Sequence, residues 1–251
     1  MKKTYTTPGG NVYTLFTDAL EQPHLLIAGA TGSGKSVIIN GLIHTLLHRH
    51  PFGAGGAEMI LIDPKRVELV QWAKVPHTIL YASEPDSMIS ALFRAMEICG
   101  ARYTQMQAAG IRKYTGPDLY VIVDEFADLM TTQSRAVKPL VQRLAQIGRA
   151  ARVHLIIATQ TPISKVIPTE IKCNFDSRFG LRARSAQDSR NIIGYSGLEL
   201  LPRYGQAIYM TPDGDQLYKV PMIPDEELEQ MRIWWENQNR RPSLLRRIFC
   251  A

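Results

Sequence analysis

HLLIAGATGSGKSVIING, residues 24–41, sets four apolar residues ahead of a glycine-rich octet that ends in a lysine and a serine. Gly29-Ala30-Thr31-Gly32-Ser33-Gly34-Lys35-Ser36 fits G-x-x-x-x-G-K-[ST], the phosphate-binding P-loop. Its glycines let the backbone turn tightly enough for successive N–H groups to surround a phosphate chain. The helix that follows presents the positive end of its dipole to the same anion. Lys35 is the residue to reach the β- and γ-phosphates, and Ser36 the one to ligate Mg²⁺. Gly29 through Ser36, with Val37 in the first helical turn, form the expected nucleotide-binding set. The octet follows an apolar strand and opens a helix with a stripe at Ile38, Ile39, Leu42, Ile43, Leu46 and Leu47. That context separates a P-loop from a chance run of glycines.

Working outward, short runs rich in Ile, Leu and Val recur at 24–28, 59–62, 78–81, 119–123 and 154–158, bounded by Gly, Pro or charge. Buried parallel strands read this way. Helical stripes lie between them, one from Met88 to Met96 and another from Val137 to Ile147. The alternation predicts an α/β fold, a mostly parallel sheet with helices on both faces. A hairpin is expected with strands at 206–210 and 216–220, then a last helix over 225–237 with acids in its first turn. Pro242 ends regular structure. No linker divides the chain, so 1–239 reads as one domain, with 1–22 as a lead-in and 240–251 as a basic tail.

The second half of the phosphate site is LYVIVDEFADLM, residues 119–130. Asp124 ends an apolar strand, expected to neighbour the P-loop strand, and suits the Mg²⁺ shell. Glu125 beside it suits the polarisation of an attacking water. The pair leans toward an ATPase rather than a kinase, and no guanine-reading N-K-x-D follows. Gln160, at the end of the strand in HLIIATQTP, would converge with Lys35 and Asp124, because ligands gather at the carboxyl ends of parallel strands. It is placed to sense the γ-phosphate. In IDPKRVEL, Asp63 and Lys65 read as an interface or structural ion pair outside the chemistry. His44 and His48 are four residues apart, but no nearby acid or cysteine completes a metal site.

The chain has 251 residues, 45% of them hydrophobic and 21% charged, and a net charge of +6. That charge is uneven: residues 133–190 hold eleven Lys and Arg against three acids, and 240–251 hold four arginines and no acid. Such asymmetry points to one polyanion-facing side. Three widely spaced cysteines, Cys99, Cys173 and Cys250, argue against a disulfide framework and for a reducing, cytoplasmic setting. No apolar run approaches the roughly 20 residues of a membrane helix, and the N-terminus lacks a signal peptide's apolar core.

Six stretches in order resemble the FtsK/SpoIIIE family of DNA-translocating ATPases, within the HerA/FtsK group: PHLLIAGATGSGKSVIIN, LIDPKRVEL, RYTQMQAAGIRKY, VIVDEFADLM, RLAQIGRAARVHLIIATQTP and DSRNIIG. The resemblance implies a RecA-like core that assembles as a homo-oligomeric ring, a hexamer, around double-stranded DNA and moves it with ATP and Mg²⁺. It also implies active sites between subunits, each completed by an arginine from the neighbour. Arg149 occupies the matching position, with Arg178 and Arg190 as lesser candidates. Grip on the DNA backbone without regard to sequence would fall to Arg135 and Lys138 after the Asp-Glu strand, and to Lys165 and Lys172 after the Gln160 strand.

The chain departs from the family pattern in several places. The N-terminal membrane region or linker, the further domain before the motor and the C-terminal winged helix are expected to be absent. A membrane-associated or DNA-reading partner would then supply them and recruit the motor to the membrane. Only four residues, 115–118, separate Tyr114 from Leu119, where larger members carry a long insertion, and Thr161 stands where arginine is common. Two further readings therefore stay open: a nucleotide-gated DNA-binding or assembly module with slow hydrolysis, and a motor tracking single-stranded DNA.

Overall fold

The computed structural model describes residues 4–6, 12–14, 17–49, 56–163, 165–220 and 222–239. The basic tail 240–251, with Pro242 and Cys250, lies outside these. A two-stranded antiparallel ribbon of β1 (Thr4–Thr6) and β2 (Val12–Thr14) precedes helix α1 (Thr17–Glu21). Then follow β3 (His24–Ala28), α2 (Lys35–Arg49), β4 (Ala57–Ile62), β5 (Thr78–Ala82) and α3 (Pro85–Ala109). The Asp-Glu strand is β6 (Asp118–Val123), succeeded by α4 (Phe126–Thr132), α5 (Ser134–Ile147) and β7 (Val153–Thr159). The chain continues through α6 (Thr169–Lys172), β8 (Ser177–Leu181), α7 (Ala186–Ile193), β9 (Gln206–Thr211), β10 (Gly214–Lys219) and α8 (Asp225–Asn239).

Eight strands form one sheet in the order β10-β9-β8-β3-β7-β6-β4-β5. From β8 to β5 every pairing is parallel, and β9 and β10 extend the sheet as an antiparallel hairpin. β3 and β6 are buried along their whole length, which is why they read as unbroken apolar runs. Alternate residues serve opposite faces. Leu26 and Ala28 join the core under α3, α4, α5 and α7, while Leu25 and Ile27 join the core under α1, α2 and α8.

Local signals explain the element ends. Glu84 and Ser87 form a capping box at the start of α3, with Pro85 in its first turn, and Gly110 closes the helix in a left-handed conformation (φ 64°). Thr211 pairs with Gly214, so the hairpin turn contracts to Pro212-Asp213 where five residues were expected.

Two expectations need correcting. β8 carries no strand signal in the sequence, because Arg178 and Gly180 interrupt its five residues. It is nonetheless a central strand paired to β3, and the missing Cβ of Gly180 makes room for Leu198 and Ile193. The Asp-Glu strand does not adjoin the P-loop strand either. β7 lies between them, so its end residues, Thr159 and Gln160, stand between Lys35 and the acids.

Candidate nucleotide site

The octet turns where β3 ends. Gly32 (φ 69°) and Gly34 (φ 103°) adopt left-handed backbone that side-chained residues resist. The Ala30 N–H donates to the Arg182 carbonyl at 2.8 Å, tying the loop to the end of β8. Lys35 opens α2 and is buried, its Nζ donating to the carbonyls of Gly29 at 2.8 Å and Ala30 at 2.9 Å. Burial draws the Lys35 ammonium down to about 8, against the opposing charges of Glu125 and Asp124. The Ser33 hydroxyl is buried with no hydrogen-bond partner among the described residues.

Across β7, Glu125 is almost completely buried. Its Oε1 accepts from the Thr159 hydroxyl at 3.0 Å and the Gln160 N–H at 3.1 Å, and its Oε2 from Lys65 Nζ at 3.1 Å. Lys65 thus pairs with Glu125, not with Asp63 as the sequence suggested. Burial, with Glu68, Asp63 and Glu125 nearby, pushes the Asp124 carboxyl up to about 7, and Lys65 works the other way. A carboxyl raised by burial and like charges gains from an arriving divalent cation. On that ground Asp124, with Ser36 at the head of α2, fits Mg²⁺.

Gln160 is brought to the P-loop directly, its Oε1 accepting from the Thr31 hydroxyl at 2.5 Å. Arg184 donates to the same hydroxyl at 3.5 Å. Arg203 approaches Gly32, its guanidinium 3.7 Å from where a Cβ would stand. Thr161 works through its backbone, whose N–H donates to the Thr159 hydroxyl at 3.1 Å. Among these, Thr159 and Thr161 could be found by their place beside Gln160, but nothing local in the sequence marks Lys65, Arg184 or Arg203.

Arg149 lies at the other end of the sheet. It is exposed in the turn between α5 and β7, at the amino end of β7, beside an open cleft of about 540 Å³ that Lys113, Arg152, Asp118 and His154 also line. It is far from its own P-loop. Arg178 is committed to the fold, its guanidinium donating to the carbonyls of Phe175 at 2.8 Å and Ile192 at 2.9 Å. Arg190 is exposed on the last turn of α7.

Of the polyanion-facing candidates, Arg135 and Lys165 are exposed. Lys138 stands 3.8 Å from Glu170, which brings α5 against α6. Lys172 is half-buried and donates to the Asn191 carbonyl at 3.0 Å, leaving it the least available of the four.

Compared with known proteins, the chain has the fold of several P-loop ATPases. The pCW3 conjugation coupling protein TcpA, solved in its monomer form with ATPγS, superposes with a TM-score of 0.77 at 21% identity, over 96% of this chain and 71% of that one. The cytoplasmic domain of the Thermomonospora curvata type VII secretion ATPase EccC gives 0.74 at 18% identity, over 92% of this chain and 30% of that one. Together they establish a RecA-like core with a mostly parallel sheet. DNA translocase FtsK of Oceanobacillus iheyensis is 37% identical over 233 residues, covering 84% of this chain and 30% of the relative. That of Rhizobium meliloti is 33% identical over 277 residues, covering 92% and 31%. The chain therefore spans about a third of the length of these relatives. The model of the FtsK/SpoIIIE family matches residues 8–118 and 114–164, and with the phosphate site and sheet order described above, the chain belongs to the FtsK/SpoIIIE family.

Proposed function

We propose that this chain is an ATP-hydrolysing motor domain, residues 1–239, that moves double-stranded DNA through a ring of its own copies. The observation that carries this reading is the row Lys35, Thr31–Gln160 and Glu125 at the carboxyl ends of β3, β7 and β6. There the Thr31–Gln160 bridge and the buried Glu125 carboxylate are joined by hydrogen bonds, and Lys35 is held against the P-loop carbonyls of Gly29 and Ala30 beside them. The P-loop backbone and Lys35 bind the phosphates. Glu125 orients a water and takes its proton, a role worth roughly 10²–10⁴ in rate. Ser36 and Asp124 hold Mg²⁺, which when bound neutralises charge developing on the phosphates. Gln160, bonded to the P-loop threonine, passes the presence of a γ-phosphate from the P-loop to β7.

Arg149 serves the next copy. It stands at the amino end of β7, opposite the P-loop, and its own site is out of reach. A head-to-tail contact that sets this end against a neighbour's phosphates is heterologous, and with a rotation that closes it forms a ring, here a hexamer. An arginine delivered that way would contribute about 10³–10⁵ in rate. Arg135, Lys138 and Lys165 offer charge to a phosphate backbone without base-reading geometry. Backbone grip of that kind weakens steeply with salt.

The test is ATP hydrolysis at low and high salt, with and without long duplex DNA, by the wild type, Lys35→Ala and Glu125→Gln. Strong stimulation by duplex, abolished in both variants and falling steeply with salt, is the expected result. Slow hydrolysis indifferent to DNA, from a protein that still binds nucleotide, would fit a gated assembly module and overturn the motor.

A further inference from the structure

Lys65 does not belong to the P-loop, the Asp-Glu strand or the basic block, yet it touches the carboxylate on which hydrolysis depends. A carboxylate oxygen offers two lone pairs. Both of those on Glu125 Oε1 are taken, by the Thr159 hydroxyl and the Gln160 N–H. Among the described residues, Oε2 accepts one hydrogen bond, from Lys65 Nζ at 3.1 Å. One lone pair on Oε2 is therefore left for a water.

The loop that delivers Lys65 is built to hold it there. Asp63 is fully buried, and its Oδ2 accepts from the Leu69 N–H at 3.0 Å. Its own N–H donates to the Ala82 carbonyl at 2.9 Å, and its carbonyl accepts from the Arg66 N–H at 3.2 Å. Arg66 takes a left-handed backbone (φ 56°), an uncommon conformation for a side-chained residue, and its guanidinium is paired with Glu84. Farther along, Trp72 Nε1 donates to Asn40 Oδ1 at 2.8 Å, fastening the loop to α2, the helix that begins with Lys35. An ordinary surface ion pair has two mobile, solvated partners and contributes little. Here the Glu125 side chain is 4% exposed and Lys65 41%, so one partner is fixed by burial and the other by its loop.

We infer that Lys65 is the positioning residue for Glu125, turning the carboxylate so that the remaining lone pair of Oε2 takes a proton from the attacking water. In the step it serves, the water oxygen bonds to the γ-phosphorus. The bond to the bridging oxygen breaks, its electron pair leaves with ADP, and the water proton goes to Oε2. The inference rests on the general-base reading of Glu125.

The experiment compares kcat and KM for MgATP in the wild type, Lys65→Ala, Lys65→Arg and Glu125→Gln. Binding of a fluorescent ATP analogue and the melting temperature are measured on each. Lys65→Ala is expected to lose roughly 10- to 100-fold in kcat, the scale of a misplaced reacting group, with KM, nucleotide binding and melting temperature unchanged. Lys65→Arg restores part of the loss, since its guanidinium donates to the same oxygen. An unchanged kcat in Lys65→Ala beside an inactive Glu125→Gln overturns the inference alone. So does a Lys65→Arg as slow as Lys65→Ala, or a collapse of binding and stability along with activity, which would make Lys65 a prop for the fold. Full hydrolysis by Glu125→Gln overturns the general-base reading and the inference with it.

Discussion

Gly29, at the first position of the octet, is required for a reason that differs from its two neighbours. Gly32 and Gly34 supply positive φ, whereas a Cβ on Gly29 would meet Leu181 Cβ and the Ser33 hydroxyl, each at 2.8 Å. Leu181 Cβ belongs to a paired central strand and cannot swing aside. Gly29→Ala is therefore expected to cost about 1–3 kcal/mol through overpacking and to force the P-loop away from β8. A lower melting temperature, with the stabilisation by a slowly hydrolysed ATP analogue lost, is what differential scanning should record. A wild-type melt with normal nucleotide stabilisation would show that the loop has room to spare. Glu125 shows the limit of sequence reading at this scale. The role proposed for it rests on its place after Asp124, but the donors that hold it come from Lys65, Thr159 and Gln160, at separations no local pattern spans.

At the scale of elements, α2 carries the P-loop lysine at its head and two histidines in its body, His44 buried and His48 half-buried. The His44 and His48 rings lie 4.8 Å apart. Burial draws His44 down to about 3, with His48 adding to the effect, and His48 down to about 4. At the start of β3, burial and then His154 draw His24 down to about 4. In the unfolded chain these imidazoles take up protons near pH 6.5, so below that pH the unfolded state binds more protons than the folded one. Stability is then intact above about pH 6.5 and falls as pH drops toward about 4, on the order of 1–3 kcal/mol per histidine. The melting temperature should decline across that window, and His44→Gln should flatten part of the decline. A melting temperature constant between pH 7 and 4 would contradict the neutral, buried state. Most helices and strands were legible: α2, α3, α5, β3, β4, β5, β6 and β7 carry periodicity or apolar runs, and β9, β10 and α8 were marked by a turn and by acids in a first helical turn. β8 was not legible, since Arg178 is absorbed by carbonyls of Lys172, Phe175 and Ile192 that only the folded chain supplies.

For the whole molecule, the decisive geometry is the separation of Arg149 from Lys35 at opposite ends of the sheet. In the proposed head-to-tail ring, each site would take Glu125 from one copy and Arg149 from the next. Arg149→Ala and Glu125→Gln should each be inactive alone. Mixed in equal amounts, they should recover up to about a quarter of wild-type hydrolysis, the fraction of interfaces with an intact residue on both sides in a randomly assembled ring. No recovery from proteins that demonstrably co-assemble would remove Arg149 from the neighbour's site. Charge has the same whole-molecule character. The excess in residues 133–190 was visible from composition, yet Lys172 and Arg178 spend their charge on carbonyls inside the fold. Of the four residues named for backbone grip, Arg135, Lys138 and Lys165 are the ones left to meet a polyanion.

The phosphate site, the Asp-Glu pair and the alternation of strands and helices were determined by sequence alone. Each is local: glycines where the backbone needs positive φ or close approach, a lysine at the first turn of a helix, acids at the end of an apolar run. Family membership could be read in the same way, from motifs in order. Tertiary structure decided what stands beside what. Strand order put β7 between the P-loop and the acids, which let Thr31 meet Gln160 and Thr159 meet Glu125. It also carried Lys65 across from the end of β4 to the same carboxylate and set Arg149 at the far end of the sheet. These neighbours follow from parallel pairing through long crossovers, and hydrophobic periodicity reports which residues are buried but not which strands lie side by side.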